Sequence, residues 1–345
     1  RFCRLRWFLA SSNSGATTWE EESMARSKSM MPEVICGCLR FEAVHLMMQK
    51  MKKTFYSNIL KNHPDASWAW VELGALGGGI SLNGQYFNQE NCFKKALEED
   101  PGNGKAWNNL GVLGGVRDIF QQHFNQQACF QKALEVSECQ NAKVWLNLGI
   151  VGGGRIHGFT QRECFQKALE LDSTLADAWH NLGVGGGGRV HGQRFNAQKC
   201  FQKALSLDLK NAKIWNNLGI LGGGEVRGQK LTQRVCFQYA LELDSEDAKV
   251  WYNLGIIGGG CVKDEKFSET ACFQKALEFD SQLSDAWYHL GLLGGGEVND
   301  AIFDAEACLL MAVKLDPENF VEITEPPRSE CMTMSTSTEV SRESL

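Results

Sequence analysis

One arrangement of apolar and polar positions recurs along most of the chain, and Trp215–Asp244 (WNNLGILGGGEVRGQKLTQRVCFQYALELD) shows it whole. Trp215, Leu218 and Gly219 stand at i, i+3 and i+4, the spacing of one helix face. Further on, Cys236 and Ala240 form a small-residue stripe with Phe237 and Leu241 as a bulky stripe beside it. A helix with two such stripes packs against two neighbours. Between the runs stand Gly222, Gly223 and Gly224, then a polar connector with one apolar residue, Val226. The glycines are expected to end the first helix, since each interior glycine costs about 1 kcal/mol relative to alanine. The connector is expected to hold a turn, with Gly228 or its equivalents supplying positive φ.

The cassette recurs seven times. Its tryptophans are Trp70, Trp107, Trp145, Trp179, Trp215, Trp251 and Trp287, in steps of 37, 38, 34, 36, 36 and 36 residues. Its cysteines are Cys92, Cys129, Cys164, Cys200, Cys236, Cys272 and Cys308. A fixed period in this range marks a solenoid of stacked units. The predicted fold is therefore all-α, an α-solenoid of helix-turn-helix repeats. The second helix has the clearest start signal. Four residues before each cysteine stands Asn88, Asn125, Thr160, Asn196, Thr232, Ser268 or Asp304, all preferred N-cap types. Just before each cap is Phe87, Phe124, Phe159, Phe195, Leu231, Phe267 or Phe303, placed to meet the cysteine as a hydrophobic staple. Asn103, Asn141, Asn211 and Asp247 stand as N-caps of four of the first helices. Repeat two departs from the pattern, with Val116 in place of the third glycine.

Outside the repeats, residues 1–32 read as a disordered or non-native segment. Residues 33–66 read as a degenerate half-repeat that caps one end, with Tyr56, Ile59, Leu60 and Pro64 matching Phe93, Ala96, Leu97 and Pro101. Residues 67–317 hold the seven repeats, and 318–345 form a Ser/Thr-rich tail expected to be disordered. No amphipathic capping helix follows repeat seven, so the C-terminal face of the core is expected to be open.

Composition narrows the function classes. A net charge of −6 carries no basic excess for nucleic acid, and no apolar run reaches membrane-spanning length. The chain has 13 cysteines, but seven occupy one repeat position on a helical pattern, where a small buried residue is the plain reading. So many unpaired thiols place the chain in a reducing compartment, the cytoplasm, with the nucleus also compatible. Cys36 and Cys38 form a lone C-x-C, and His157 and His191 share a loop position near Arg155 and Arg189; neither reads as a metal site. No nucleotide motif follows the glycine blocks, which read as conformational breaks. No nucleophile elbow, triad spacing or carboxylate pair stands out, so neither an enzyme nor a cofactor is expected.

The candidate site is a row of asparagines two positions after the tryptophans: Asn109, Asn147, Asn181, Asn217 and Asn253, with Glu72 and His289 at the ends. This position lies off the Trp/Leu face. A carboxamide offers donors and an acceptor to an extended peptide backbone without reading its sequence. The bland alternative is that each asparagine bonds a neighbouring repeat. Flanking positions vary: Lys105, Lys143, Lys213 and Lys249 two before the tryptophan, and Asn108, His180, Asn216, Tyr252 and Tyr288 one after. That variation fits partner specificity or a solvated face equally well.

With W-x-x-L-G, F-x-x-A-L and L-D-P in hand, residues 67–317 resemble the tetratricopeptide repeat family. The W-N-N-L-G and A-L-E-L-D wording is most similar to the repeats of O-GlcNAc transferases. The departures are Gly222 where the family has a Tyr and a unit longer than usual. The resemblance implies a right-handed superhelix whose first helices line a concave groove, and an Asn row that holds peptide there. The expected function is a non-catalytic scaffold for a protein or peptide partner. The alternatives are the substrate-recognition arm of a truncated glycosyltransferase, and a structural module that self-associates through its open C-terminal end.

Overall fold

The computed structural model describes residues 44, 46–153 and 158–319. The segment 1–32, Cys36, Cys38, Arg155, His157 and the tail beyond Asn319 lie outside the described residues. The chain divides into two compact units, residues 1–138 and 139–345. In the first, α1 (46–62) and α2 (Ser67–Ala75) precede β1 (Gly78–Leu82), β2 (Gln85–Asn88) and α3 (Gln89–Glu99). Then come α4 (Gly104–Val112), β3 (Gly115–Ile119), β4 (Gln122–Asn125) and α5 (Gln126–Val136). The second unit opens with α6 (Ala142–Ile150), α7 (Gln161–Leu171) and α8 (Ala176–Val184). It continues through β5 (Gly187–Val190), β6 (Gln193–Asn196), α9 (Ala197–Leu207), α10 (Ala212–Ile220), β7 (Gly223–Val226), β8 (Gln229–Thr232) and α11 (Gln233–Leu243). It ends with α12 (Ala248–Ile256), β9 (Gly260–Val262), β10 (Glu265–Phe267), α13 (Glu269–Phe279), α14 (Ser284–Leu292), β11 (Gly295–Val298), β12 (Ala301–Asp304) and α15 (Ala305–Leu315).

Each unit is a run of helix pairs, the α-solenoid expected. The second helices start where their caps place them. Asn88, Asn125, Thr160, Asn196, Thr232, Ser268 and Asp304 each accept a backbone N–H of the first turn. Asn103, Asn141, Asn211 and Asp247 cap their first helices the same way. The two helices of a repeat approach closely at the glycine four after the tryptophan. A Cβ on Gly219 would overlap the ring of Phe237, so the ring lies flat on bare backbone. Cysteine, alanine and leucine of the second helix complete a dry core; Cys236, Ala240 and Leu241 are fully buried.

The connector is more than a turn. In six repeats it folds as a two-stranded antiparallel hairpin. His191 (φ +47°) and Gly192 (φ +77°) join β5 to β6 with positive φ at both positions, as do Arg227 and Gly228 between β7 and β8. That is the type I′ geometry whose twist matches its flanking strands. Inward residues of the hairpins, such as Val190 and Val226, are buried and extend the core. The glycines are needed for three separate reasons. Gly222 (φ +89°) has open space around its Cβ position and serves only the backbone turn out of α10. Gly223 (φ +89°) faces Thr232 across the hairpin, where a Cβ would overlap the Leu231 carbonyl oxygen. Gly224 receives the side chain of Gln202 from the preceding repeat.

Each tryptophan ties these parts together. In all seven repeats its indole Nε1–H donates to the carbonyl six residues earlier, in the turn that enters the repeat, at 2.8–2.9 Å. A buried indole needs such a partner for its one polar atom. In six repeats its ring packs on the phenylalanine just before the second helix's N-cap, for example Trp179 on Phe195 at 4.8 Å between centroids; in the fifth, Trp215 packs on Tyr239 instead. The staple is therefore shared. The hairpin carbonyl meets the cysteine thiol in two repeats, Phe124 O to Cys129 Sγ at 3.8 Å and Phe303 O to Cys308 Sγ at 4.0 Å, while the rings rest on tryptophan. The turns between repeats are closed by the C-cap aspartate. Asp100, Asp172, Asp208, Asp244 and Asp280 each accept the N–H two residues on. The turn after α5 has Ser137 there, and it is longer: Cys129 to Trp145 spans 16 positions, against 15 from Cys92 to Trp107. The boundary between the two units falls in it.

The glycine reading predicts unequal costs. Gly222→Ala should lose about 1 kcal/mol, left-handed strain alone, and Gly223→Ala about 3 kcal/mol, because the hairpin must also move. Urea unfolding of the two variants measures the difference; equal losses would contradict the close approach at Gly223.

Candidate functional site

The first helices present their polar residues in a ladder. Asn109, on α4, lies in the first unit; Asn147, Asn181, Asn217 and Asn253, on α6, α8, α10 and α12, lie in the second. All five are half-buried. Asn217 Nδ2 lies 3.0 Å from His180 Nε2, and Asn253 Nδ2 donates to Asn216 Oδ1 at 2.9 Å. The residue one after the tryptophan in one repeat thus meets the residue two after it in the next. His289 continues the rule with rings: it sits 5.8 Å from Tyr252 and stacks on Phe273 at 5.4 Å. Where the preceding repeat offers Leu146 instead, Asn181 donates to its own helix at Asp177 O, 2.8 Å. In the first unit Asn108 donates to Asn109 Oδ1 at 3.4 Å. Bonding between repeats, the bland alternative for the row, is present at Asn217 and Asn253.

Burial holds His180 below the usual imidazole range, with Asp177 opposing and Lys213 assisting that shift. Asn217 Nδ2 can only donate, so Nε2 meets it as the acceptor, and the downward shift favours the uncharged ring that this needs. Tyr252 is pushed up by burial and by Asp285. Tyr288 is half-buried, whereas Lys105, Lys143, Lys213 and Lys249 stand exposed one turn away.

The sequence reading missed a second row. Three residues after each asparagine an aliphatic side chain faces solvent: Val112, Ile150, Val184, Ile220 and Ile256, with Leu292 following His289. Val184 is 64% exposed, which is unusual for valine on a packed helix. Spacing of i, i+3 puts each one beside its asparagine. The glycines that end these helices leave the row uncovered. In the second unit a cavity of about 510 Å³ includes Asn181, Val184, Gly185, Arg162 and Phe165. Its edge is held by Arg162, whose Nη2 donates to Gly185 O at 2.6 Å, satisfying a helix C-terminus with a cation.

The repeat cysteines are inert. All nine described cysteines are free, and the seven of the repeats are buried. Burial pushes the Cys92, Cys129, Cys200 and Cys272 thiols up to about 12 and Cys236 up to about 11. Cys139 and Cys261 are exposed. Among the described residues no three His, Cys, Asp or Glu side chains converge as metal ligands, and no helix is long and apolar enough to cross a membrane. Repeat five differs from its neighbours around Trp215. Leu231 replaces the usual phenylalanine, and Tyr239 packs on the indole at 5.0 Å. A cavity of about 300 Å³ lies between Trp215, Val226, Leu231, Tyr239 and Leu243.

No protein-family profile and no curated protein sequence matches the chain. A solved structure, YrrB, described as a TPR protein with an unusual peptide-binding site, is similar over 56% of this chain and 95% of that one. The identity is 21% and the TM-score 0.37.

Brief alkylation of the native chain at pH 8 should modify Cys139 and Cys261 and spare the repeat cysteines until denaturant is added, as peptide mass mapping will show. Stability should fall as pH rises above 9, because unfolded thiols ionise from there while folded ones keep their protons to about 12. Leu231→Phe should fill the cavity beside Trp215 and raise stability by about 1 kcal/mol in thermal unfolding; a loss would mean the space is already closed to a ring.

Proposed function

We propose that the chain is a non-catalytic scaffold that binds an extended peptide or protein segment along its first-helix faces. The observation that carries this reading is the pairing, on five of the first helices, of a half-buried amide with an exposed aliphatic side chain three residues on. Scattered exposed aliphatics need no explanation, but a repeated row beside a polar ladder is a surface suited to a strand-like ligand. Asn181, Asn217 and Asn253 each spend one amide proton within the fold. Their carboxamide oxygens remain for a peptide N–H, and Val184, Ile220 and Ile256 take its apolar side chains. Asn109 and Val112 offer the same pair in the first unit. The lysines and the His180, Asn216, Tyr252 and Tyr288 positions supply the differences between repeats on which selectivity rests.

Peptides selected on the native chain from a random library provide the test. The pair Val184→Asp with Ile220→Asp should weaken a selected peptide at least about tenfold, the burial of one aliphatic side chain. Asn147→Ala, Asn181→Ala and Asn217→Ala together should do the same, with helical circular dichroism unchanged in both. Affinity unaffected by either set would place binding elsewhere.

A further inference from the structure

The hairpin of β5 and β6 departs from a rule that its neighbour keeps. The cross-strand pair one step in from its turn is Arg189 opposite Arg194, whereas the same pair in β7 and β8 is Glu225 opposite Lys230. Directly opposed side chains on antiparallel strands lie close, and like charges there repel. A third arginine joins them. Arg162, at the start of α7, spends one N–H on Gly185 O and keeps the rest of its five-donor fork. The three surround a cavity of about 260 Å³ whose floor is the glycine run Gly186–Gly188, with Gln166 to one side. The lining contains no carboxylate. Glu163, beside Arg162 in sequence, is committed to the Thr160 capping box, with Oε2 accepting from Thr160 N at 2.7 Å and Thr160 Oγ1 at 2.8 Å. Among the described residues neither Arg189 nor Arg194 forms an ion pair; the ion pairs formed run from lysine to glutamate within the helices. In a chain of net charge −6, three arginines without a counter-ion do not follow from composition.

We propose that this cavity binds a phosphate group. A tetrahedral dianion matches the planar forks of several arginines, each able to give two parallel N–H bonds. It would also remove the repulsion across the hairpin that Glu225 and Lys230 avoid by being opposite in sign. The glycines leave the lining without side chains; a Cβ on Gly186 would stand 3.9 Å from Arg162 Nη2, in contact with the guanidinium. The site shares Arg162 with the edge of the Asn181 cavity but takes its other two arginines from the hairpin, outside the asparagine ladder.

The test is a titration of the full isotope-labelled chain with inorganic phosphate, against chloride at matched ionic strength, following the amide resonances of Gly186–Gly188. Arg189→Glu is the informative variant, because it copies Glu225 at the same place in a hairpin that folds. Half-saturation should rise about tenfold in Arg189→Glu and in Arg194→Gln, the weight of one charge-assisted contact. A phosphoserine tripeptide and its unmodified counterpart separate the sources. Tighter binding of the phosphopeptide than of inorganic phosphate puts the group on a modified partner; equal binding puts it on a free phosphate. No saturable shift in the native chain, or the same half-saturation in Arg189→Glu, overturns the proposal.

Discussion

The indole of the first helix is the contact on which each repeat depends. Its N–H reaches back to the turn that enters the repeat, and in six repeats its ring lies against the phenylalanine that precedes the second helix. Entry turn, first helix and hairpin are thereby fixed to one rigid group, with burial of a large ring supplying the energy and one hydrogen bond the direction. The second helix then needs only to be aimed. Its N-cap follows the packed aromatic directly, so the helix leaves the hairpin at a set angle and lays Phe201 or its equivalent on the bare glycine of the first helix.

The hairpins change what a helical repeat can expose. A helix pair joined by a short turn covers the end of its first helix with the second. Here the first helix stops two residues before the glycines, the chain moves off into strands, and a row of aliphatic side chains is left in water beside the amide ladder. The same hairpins hold the arginines of β5 and β6. Both surfaces on which binding is argued thus come from the one departure from a plain helix pair.

Much of this was legible in the sequence, for identifiable reasons. Helix starts were, because Asn88, Thr232 and the others are side chains whose preferred bond is local. The close approach at Gly219 was, because its spacing from Trp215 fixes its face. The hairpins were not. Strands of three to five residues, half of them glycine in places, lack the β-branched composition that signals a strand, although Asn83-Gly84 between Leu82 and Gln85 is a strong hairpin turn. The ladder was half legible: the Asn row stood out by repetition, but its partners one position earlier in the preceding repeat vary among His180, Asn216 and Tyr252 and show no common chemistry until the helices are placed.

The third glycine of each block has a further implication, for modularity. Gln166, Gln202, Gln238 and Gln274 each lie against the third glycine of the following hairpin, at Gly188, Gly224, Gly260 and Gly296. Gln166 also donates to the Arg189 carbonyl at 2.7 Å. In the first unit, where Lys94 takes the glutamine position, Val116 takes the glycine position in the next repeat. The two positions touch although they belong to different repeats. The interchangeable module is therefore not the stretch from one tryptophan to the next. It runs from mid-way through one second helix to the same point in the next, so that each glutamine travels with the glycine it covers.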